Sequence, residues 1–143
     1  PERWDATLMY EGVFDGPVQH HEMTHNQKGD GFRQLQKIDR FHLEQYAYLI
    51  RRMKEIRESD GRSLLDHSLV AFGAGLGDGA THQYFDLPMI LAGTAQGRVR
   101  QGRFLRMPSG TLNSNLWLSI ARVMGLEIDS FADSTGVISE LLA

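Results

Sequence analysis

The 143-residue sequence contains no cysteine. Disulfides and thiolate metal sites are therefore excluded, and any bound metal must be held by imidazole and carboxylate. An empty cysteine count suits an exported chain and a cytoplasmic one alike. Long hydrophobic runs are also missing. No apolar stretch approaches the ~20 residues that a membrane span needs. Positive charge is in deficit, with 15 Lys and Arg against 18 Asp and Glu, a formal net charge of -3 and a pI of about 6.1. That balance argues against a nucleic acid or an anionic membrane surface as partner. Neither a Gly-x-Ser-x-Gly elbow nor a Ser/His/Asp triad motif is found. The glycines at 73, 75, 77 and 79 do not spell G-x-G-x-x-G, so a dinucleotide fold is unsupported.

What is present is ordinary globular composition, 41% hydrophobic and 23% charged. A chain of this length forms one domain and buries roughly two thirds of its unfolded surface. The chain opens at Pro1-Glu2-Arg3-Trp4 with no signal peptide and no initiator Met. The expectation is residues 1–143 as a single domain, or as the carboxyl-terminal part of a larger one. Its amino-terminal part would be absent or held on a companion chain, which would cover the open flank of a truncated sheet.

Ala6-Thr7-Leu8-Met9-Tyr10 reads as a short strand. Glu11 to Gly31 lacks apolar periodicity and reads as a loop of about twenty residues, a length that is often functional. From Phe32 to Ser59, Leu35, Ile38, Phe41, His42, Tyr46, Leu49, Ile50, Met53 and Ile56 recur at steps of three and four. That spacing predicts a long amphipathic helix, ended by Asp60-Gly61. Ser68-Leu69-Val70-Ala71-Phe72 is a continuous apolar run, typical of a strand covered on both faces. Strand, helix and strand make a βαβ unit with a right-handed crossover. Leu87 to Ala92 is a third strand, with Pro88 near its start. Arg98 to Arg106 reads as a hairpin turning at Gln101-Gly102. A second helix spans about Leu112 to Met124, with Leu116, Trp117, Ile120, Val123 and Met124 as its apolar side and Gly125 as its C′ residue.

Two pairs of metal-type side chains follow predicted strands. His21 and His25 lie four residues apart in His20-His21-Glu22-Met23-Thr24-His25-Asn26. Asp78 and His82 lie four apart in Gly77-Asp78-Gly79-Ala80-Thr81-His82. Ligands in open α/β sheets collect beyond the carboxyl ends of strands. Neutral imidazole with carboxylate is a donor set for a borderline divalent ion. The first pair also reads as a solvated polar loop, and His20 competes with His21 as the ligand. The second also reads as an Asp-Gly surface turn. Arg98, Arg100, Arg103 and Arg106 form either a cationic face for an anionic substrate or a solvated edge that blocks aggregation. His42 reads as a packed helical residue, His67 as exposed, and Ser134-Thr135-Gly136 as a turn, with anion binding as the alternative.

The run His21-x-x-Thr24-His25-Asn26 resembles the HxxSHH signature of the bacterial HXXSHH family, domain of unknown function 1552. Further segments are similar to that family: Lys37 to Leu49, Glu58-Ser59-Asp60-Gly61 with Leu64-Leu65-Asp66, Phe72 to Gly79 with His82, Asp86-Leu87-Pro88 with Leu91-Ala92-Gly93, and Asp129 to Gly136. Thr24 keeps the hydroxyl of the signature's serine, whereas Asn26 replaces its last histidine. The family looks related to the alkaline phosphatase and sulfatase superfamily. The resemblance therefore implies a three-layer α/β fold with a mostly parallel sheet, this chain being its carboxyl-terminal half. It also implies an exported or periplasmic parent and a nucleophile upstream of Pro1.

These readings combine into a metal-dependent hydrolase of phosphate- or sulfate-type esters. His21, His25, Asp78 and His82 would hold a divalent ion, Zn by preference, and Arg100 and Arg103 would steady the anionic ester. The rival is a non-catalytic exported binding or assembly subunit with a degenerate metal site, which Asn26 favours.

Overall fold

The structure is a computed structural model that describes residues 7–143. Ala6, the start of the first strand expected, lies outside the described residues. The elements run in the order α1 (His20–His25), α2 (Asp30–Glu55), α3 (Leu64–His67), β1 (Val70–Gly73), β2 (Met89–Ala92) and α4 (Asn113–Val123), followed by a 3-10 turn at Ser139–Leu141.

The expected three-layer α/β fold with a mostly parallel sheet is not what forms. Helices make up most of the regular structure among the described residues, and their one sheet is the antiparallel pair β1–β2. Gly73 lies against Met89 while Ser68 lies against Gly93, so the two strands run in opposite senses. The apolar run at 68–72 suggested burial on both faces. Instead, burial alternates along β1, with Val70 and Phe72 half-buried and Ala71 exposed. A strand covered on one side suits an antiparallel pair. Within the described residues the first strand is reduced to an isolated bridge between Leu8 and Val18, so no βαβ unit is seen among them. The hairpin expected at Arg98 to Arg106 is also absent: Val99 bridges Leu142 instead.

The helices follow their local signals more closely. The periodic face predicted from Phe32 to Ser59 forms α2, which stops at Glu55. Residues 56–63 then turn back through a bridge between Arg57 and Ser63, with Gly61 at φ 81°. Ser63 caps α3 in a capping box: its hydroxyl accepts from Asp66 N–H, and the Asp66 carboxylate accepts from Ser63 N–H. At the end of α4, Gly125 takes φ 94°. Its N–H donates to Arg122 O and that of Leu126 donates to Ala121 O, a Schellman ending. The buried side of α4 is Ser114, Leu116, Leu118, Ser119 and Val123, whereas Trp117 and Met124 are exposed. Trp117 is thus rotated out of the core that the sequence assigned to it.

Contacts among the described residues cluster into two compact units, the stretch up to Leu49 with Gly73–Met89, and Ile50–Phe72 with Ile90–Ala143. In the first, Tyr10 is buried and meets the rings of Phe14, Phe41 and His42 edge-on at 6.2, 5.5 and 5.7 Å. Ile38 of α2 is fully buried. In the second, Ala95, Val99 and Val123 form a cluster with Leu69 and Leu142 packed against it. The Ser119 hydroxyl donates to Asn115 O at 2.6 Å and accepts from Ile138 N–H at 2.7 Å, fastening the carboxyl-terminal segment to α4.

Candidate functional site

Part of the expected loop is helical, and this sets the spacing of its histidines. Over His20–His25 the chain makes a short α-helix, so side chains four apart rise on one side. The ring centroids of His21 and His25 lie 4.9 Å apart. His20 points elsewhere, with its ring 6.3 Å from those of His42 and Tyr10. The structure therefore sets His21, not His20, beside His25. His42 packs among rings, as its place on the long helix suggested.

His82 of the second pair reaches the same place. The ring of His82 stands 5.1 Å from that of His25. His82 sits at the end of a tight loop closed by a bridge between Asp78 and Gln83, in which Gln83 N–H donates to Asp78 O at 3.0 Å. His82 adopts φ 55°, a left-handed conformation that costs energy for a side chain with a Cβ. The loop lies close to α1 because Gly79 has no side chain. A Cβ there would come within 2.9 Å of Thr24 Cβ.

Asp78 fixes this arrangement. Its carboxylate accepts from Thr81 Oγ1 at 2.8 Å, from Ala80 N–H at 2.9 Å and from Gln27 Nε2 at 2.9 Å. Gln27 also donates to Thr24 O at 3.0 Å. One amide thus ties the end of α1 to the loop that carries His82. The Thr81 hydroxyl, the Ala80 N–H and then the Gln27 amide hold the Asp78 carboxyl below the usual carboxylate range. Three of its roughly four lone-pair positions are taken inside the protein. Asp78 is a clamp for the loop before it is a donor to anything else.

His21, His25 and His82 are exposed. Among the described residues, no group of three or more His, Asp or Glu side chains is arranged to hold a metal ion. The pairs nonetheless meet one requirement of zinc. An imidazole bound at about 2.0–2.1 Å puts its ring centre about 3.2 Å from the ion, so two rings on a tetrahedral ion stand about 5.2 Å apart. The separations of 4.9 and 5.1 Å match that value. A three-ligand grip requires the exposed rings to turn about their side-chain bonds, a ps–ns motion at a surface.

Arg100 and Arg103 belong to the second unit and are exposed, with Arg100 N–H donating to Leu141 O. The histidine cluster is built from the first unit alone. A cleft of about 300 Å³ in that unit is lined by Gly12, Val13, Lys37, Arg40, Phe41 and Glu44 and by none of the histidines. In the second unit, Asn115 donates to Thr135 Oγ1 and accepts from Thr135 N–H. The Ser134-Thr135-Gly136 turn is therefore tied to α4. His67, expected to be exposed, is partly covered and lies 3.1 Å from an Asp60 carboxylate oxygen.

No family model matches the chain, and no curated protein or solved structure matches it.

Sequence reasoning passed over Gln27 and Glu22. Nothing in the sequence around Gln27 marks it, because its partner lies 51 residues away. Glu22 did carry a signal. With His21 and His25 it spells His-Glu-x-x-His, a zinc-site pattern when it falls on a helix.

Proposed function

We propose that His21, His25 and His82 bind a divalent ion of the zinc type, and that the protein is a hydrolase of anionic esters. The observation that carries this reading is the pair of ring separations, 4.9 and 5.1 Å, drawn from segments far apart in sequence. A bound ion of this kind would supply Lewis acidity. His21 and His25 would supply two imidazole donors from one helix, and His82 a third from the facing loop. Asp78 and Gln27 hold that loop in register. The phosphate or sulfate class of substrate, and export of the parent protein, rest on the resemblance to the HXXSHH family. Arg100 and Arg103 have no part in this reading.

A second reading is favoured by Asn26 at the signature's last histidine position and by the absence, among the described residues, of a ready-made group of three donors. In it the protein is a non-catalytic binding or assembly subunit that has lost a working metal site.

Zinc titration of the whole chain against a chromophoric chelator separates the two. The first reading expects one tight site, weakened by about 100-fold or more in His25→Ala and about 10–100-fold in His82→Ala, since even outer-shell losses at zinc sites reach 10–100-fold. Equal zinc binding by wild type and both variants, or none by wild type, would overturn it.

A further inference from the structure

We propose that two copies of this chain associate through oppositely charged segments of the second unit: Arg100, Arg103 and Arg106, with Phe104 among them, dock on the acidic stretch 126–133 of the other copy. The contact is independent of the histidine cluster, which belongs to the first unit.

The basic segment is tethered at its start and bare beyond it. The Arg98 guanidinium donates to Val123 O at 2.8 Å, Arg100 N–H to Leu141 O at 3.0 Å and Gln101 Nε2 to Gly93 O at 2.6 Å. Further along, exposure alternates. Phe104 and Arg106 are exposed, whereas Leu105 and Met107 are half-buried. A period of two is that of an extended segment lying on its own unit. Among the described residues, Arg100, Arg103 and Arg106 enter no ion pair. Nor do the N–H groups of residues 101–107 donate to another backbone group. Phe104 is 88% exposed, more than any other large hydrophobic side chain described. Aromatic and Arg side chains carry most of the energy at protein interfaces, and here an uncovered ring stands among three uncommitted guanidinium groups.

The complement lies in the same unit. Glu127, Asp129 and Asp133 are exposed, and so are Leu126 and Phe131 of the same stretch. Its backbone is held from behind. Arg122 donates to Ile128 O at 2.8 Å and to Asp129 O at 3.3 Å, and Phe131 N–H donates to Ser134 Oγ at 2.8 Å. Three carboxylates therefore stand on a fixed support, so little conformational entropy is lost when they are covered. Among the described residues no ion pair links the two segments within one chain, and Asp129 reaches Arg122 at 3.6 Å. The three positive and three negative charges can be matched between copies, and a two-fold axis makes the contact twice. Single-stranded nucleic acid also suits arginines beside an aromatic ring. The acidic stretch on the same unit and the net charge of -3 favour a second copy over it.

The test follows the mass of the full chain by sedimentation at rising concentration. Wild type is expected to dimerise below about 100 µM at about 0.1 M salt, and at least about tenfold more weakly at about 1 M, where screening acts within ~3 Å. Phe104→Ala should weaken the dimer about 10–100-fold. Charge reversal is the sharper probe. Arg103→Glu with Arg106→Glu sets acid against acid, and Glu127→Arg with Asp133→Arg sets base against base, so each double variant should be monomeric. In their equimolar mixture both contacts are again opposite in sign, and dimers should return. The substituted side chains are all exposed, so urea midpoints should stay at the wild-type value. Monomeric wild type, dimers that persist in both double variants, or double variants that fail to pair when mixed would overturn the proposal. A wild-type monomer that binds a single-stranded oligonucleotide through Arg103 and Phe104 would overturn it as well.

Discussion

The two units are held together by different physics. Among the described residues, six of the eight buried hydrophobics, Ala95, Val99, Leu116, Leu118, Val123 and Ile138, belong to the second unit, and only Tyr10 and Ile38 to the first. The second unit is stabilised by apolar burial around α4. The part of the first that carries the histidines is held by polar contacts centred on Asp78. A hydrogen-bonded clasp tolerates exposed imidazoles and a strained residue such as His82, which a close-packed core would not. The buried apolar cluster and the candidate site thus lie in different stretches of the chain, and substitutions should separate their effects.

The largest separation is expected from Leu118→Ala. This side chain is fully buried, and its truncation should cost about 2–5 kcal/mol in urea unfolding. Zinc affinity of the folded fraction should stay at the wild-type value. Ser119→Ala should come next, at about 1–3 kcal/mol, because Ile138 N–H loses its buried acceptor. The converse case is Gly79→Ala. Its new methyl group would press on Thr24 and part His25 from His82, so zinc affinity should fall by about tenfold, while the urea midpoint of the second unit holds. A drop in that midpoint equal to the Leu118→Ala effect would erase the distinction between the units.

The smallest effect is a pH dependence in the second unit. The Arg62 N–H, the Arg62 guanidinium and His67 draw the Asp60 carboxyl down from its ordinary value to about 2. A carboxyl lowered in the folded state stabilises it fully above the unfolded pKa of about 4, and that contribution disappears as pH falls toward about 2. Thermal midpoints measured between those limits should therefore fall less steeply in Asp60→Asn than in wild type. Parallel curves for the two proteins would remove Asp60 from the acid response.

The helices were legible in the sequence because their signals are local. The recurrence from Leu35 to Met53 gave α2 to within a few residues, and Gly125 marked the end of α4. The sheet was not legible. A short apolar run such as 68–72 does not state which segment it will pair with or in which sense, since pairing is decided by contacts distant in sequence. Trp117 shows the same limit on a smaller scale. Helical spacing named an apolar side, but the core's position chose Leu118 and Ser119 over it. At the candidate site, the four-residue gaps flagged His21, His25, Asp78 and His82 as pairs. Their spacing carried no hint that Asp78 would spend its oxygens on Gln27, Ala80 and Thr81.

The Gln27–Asp78 link has a consequence for how the site is assembled. It joins positions 51 apart, so it closes only after the intervening chain has been made, which places it among the non-local steps. His21 and His25 need only one helical turn and can meet much earlier. A growing chain would therefore present a two-imidazole site first and complete it with His82 last. Zinc supplied during refolding should reach its final affinity in two kinetic stages, the second matching the appearance of protected amide hydrogens at residues 77–83.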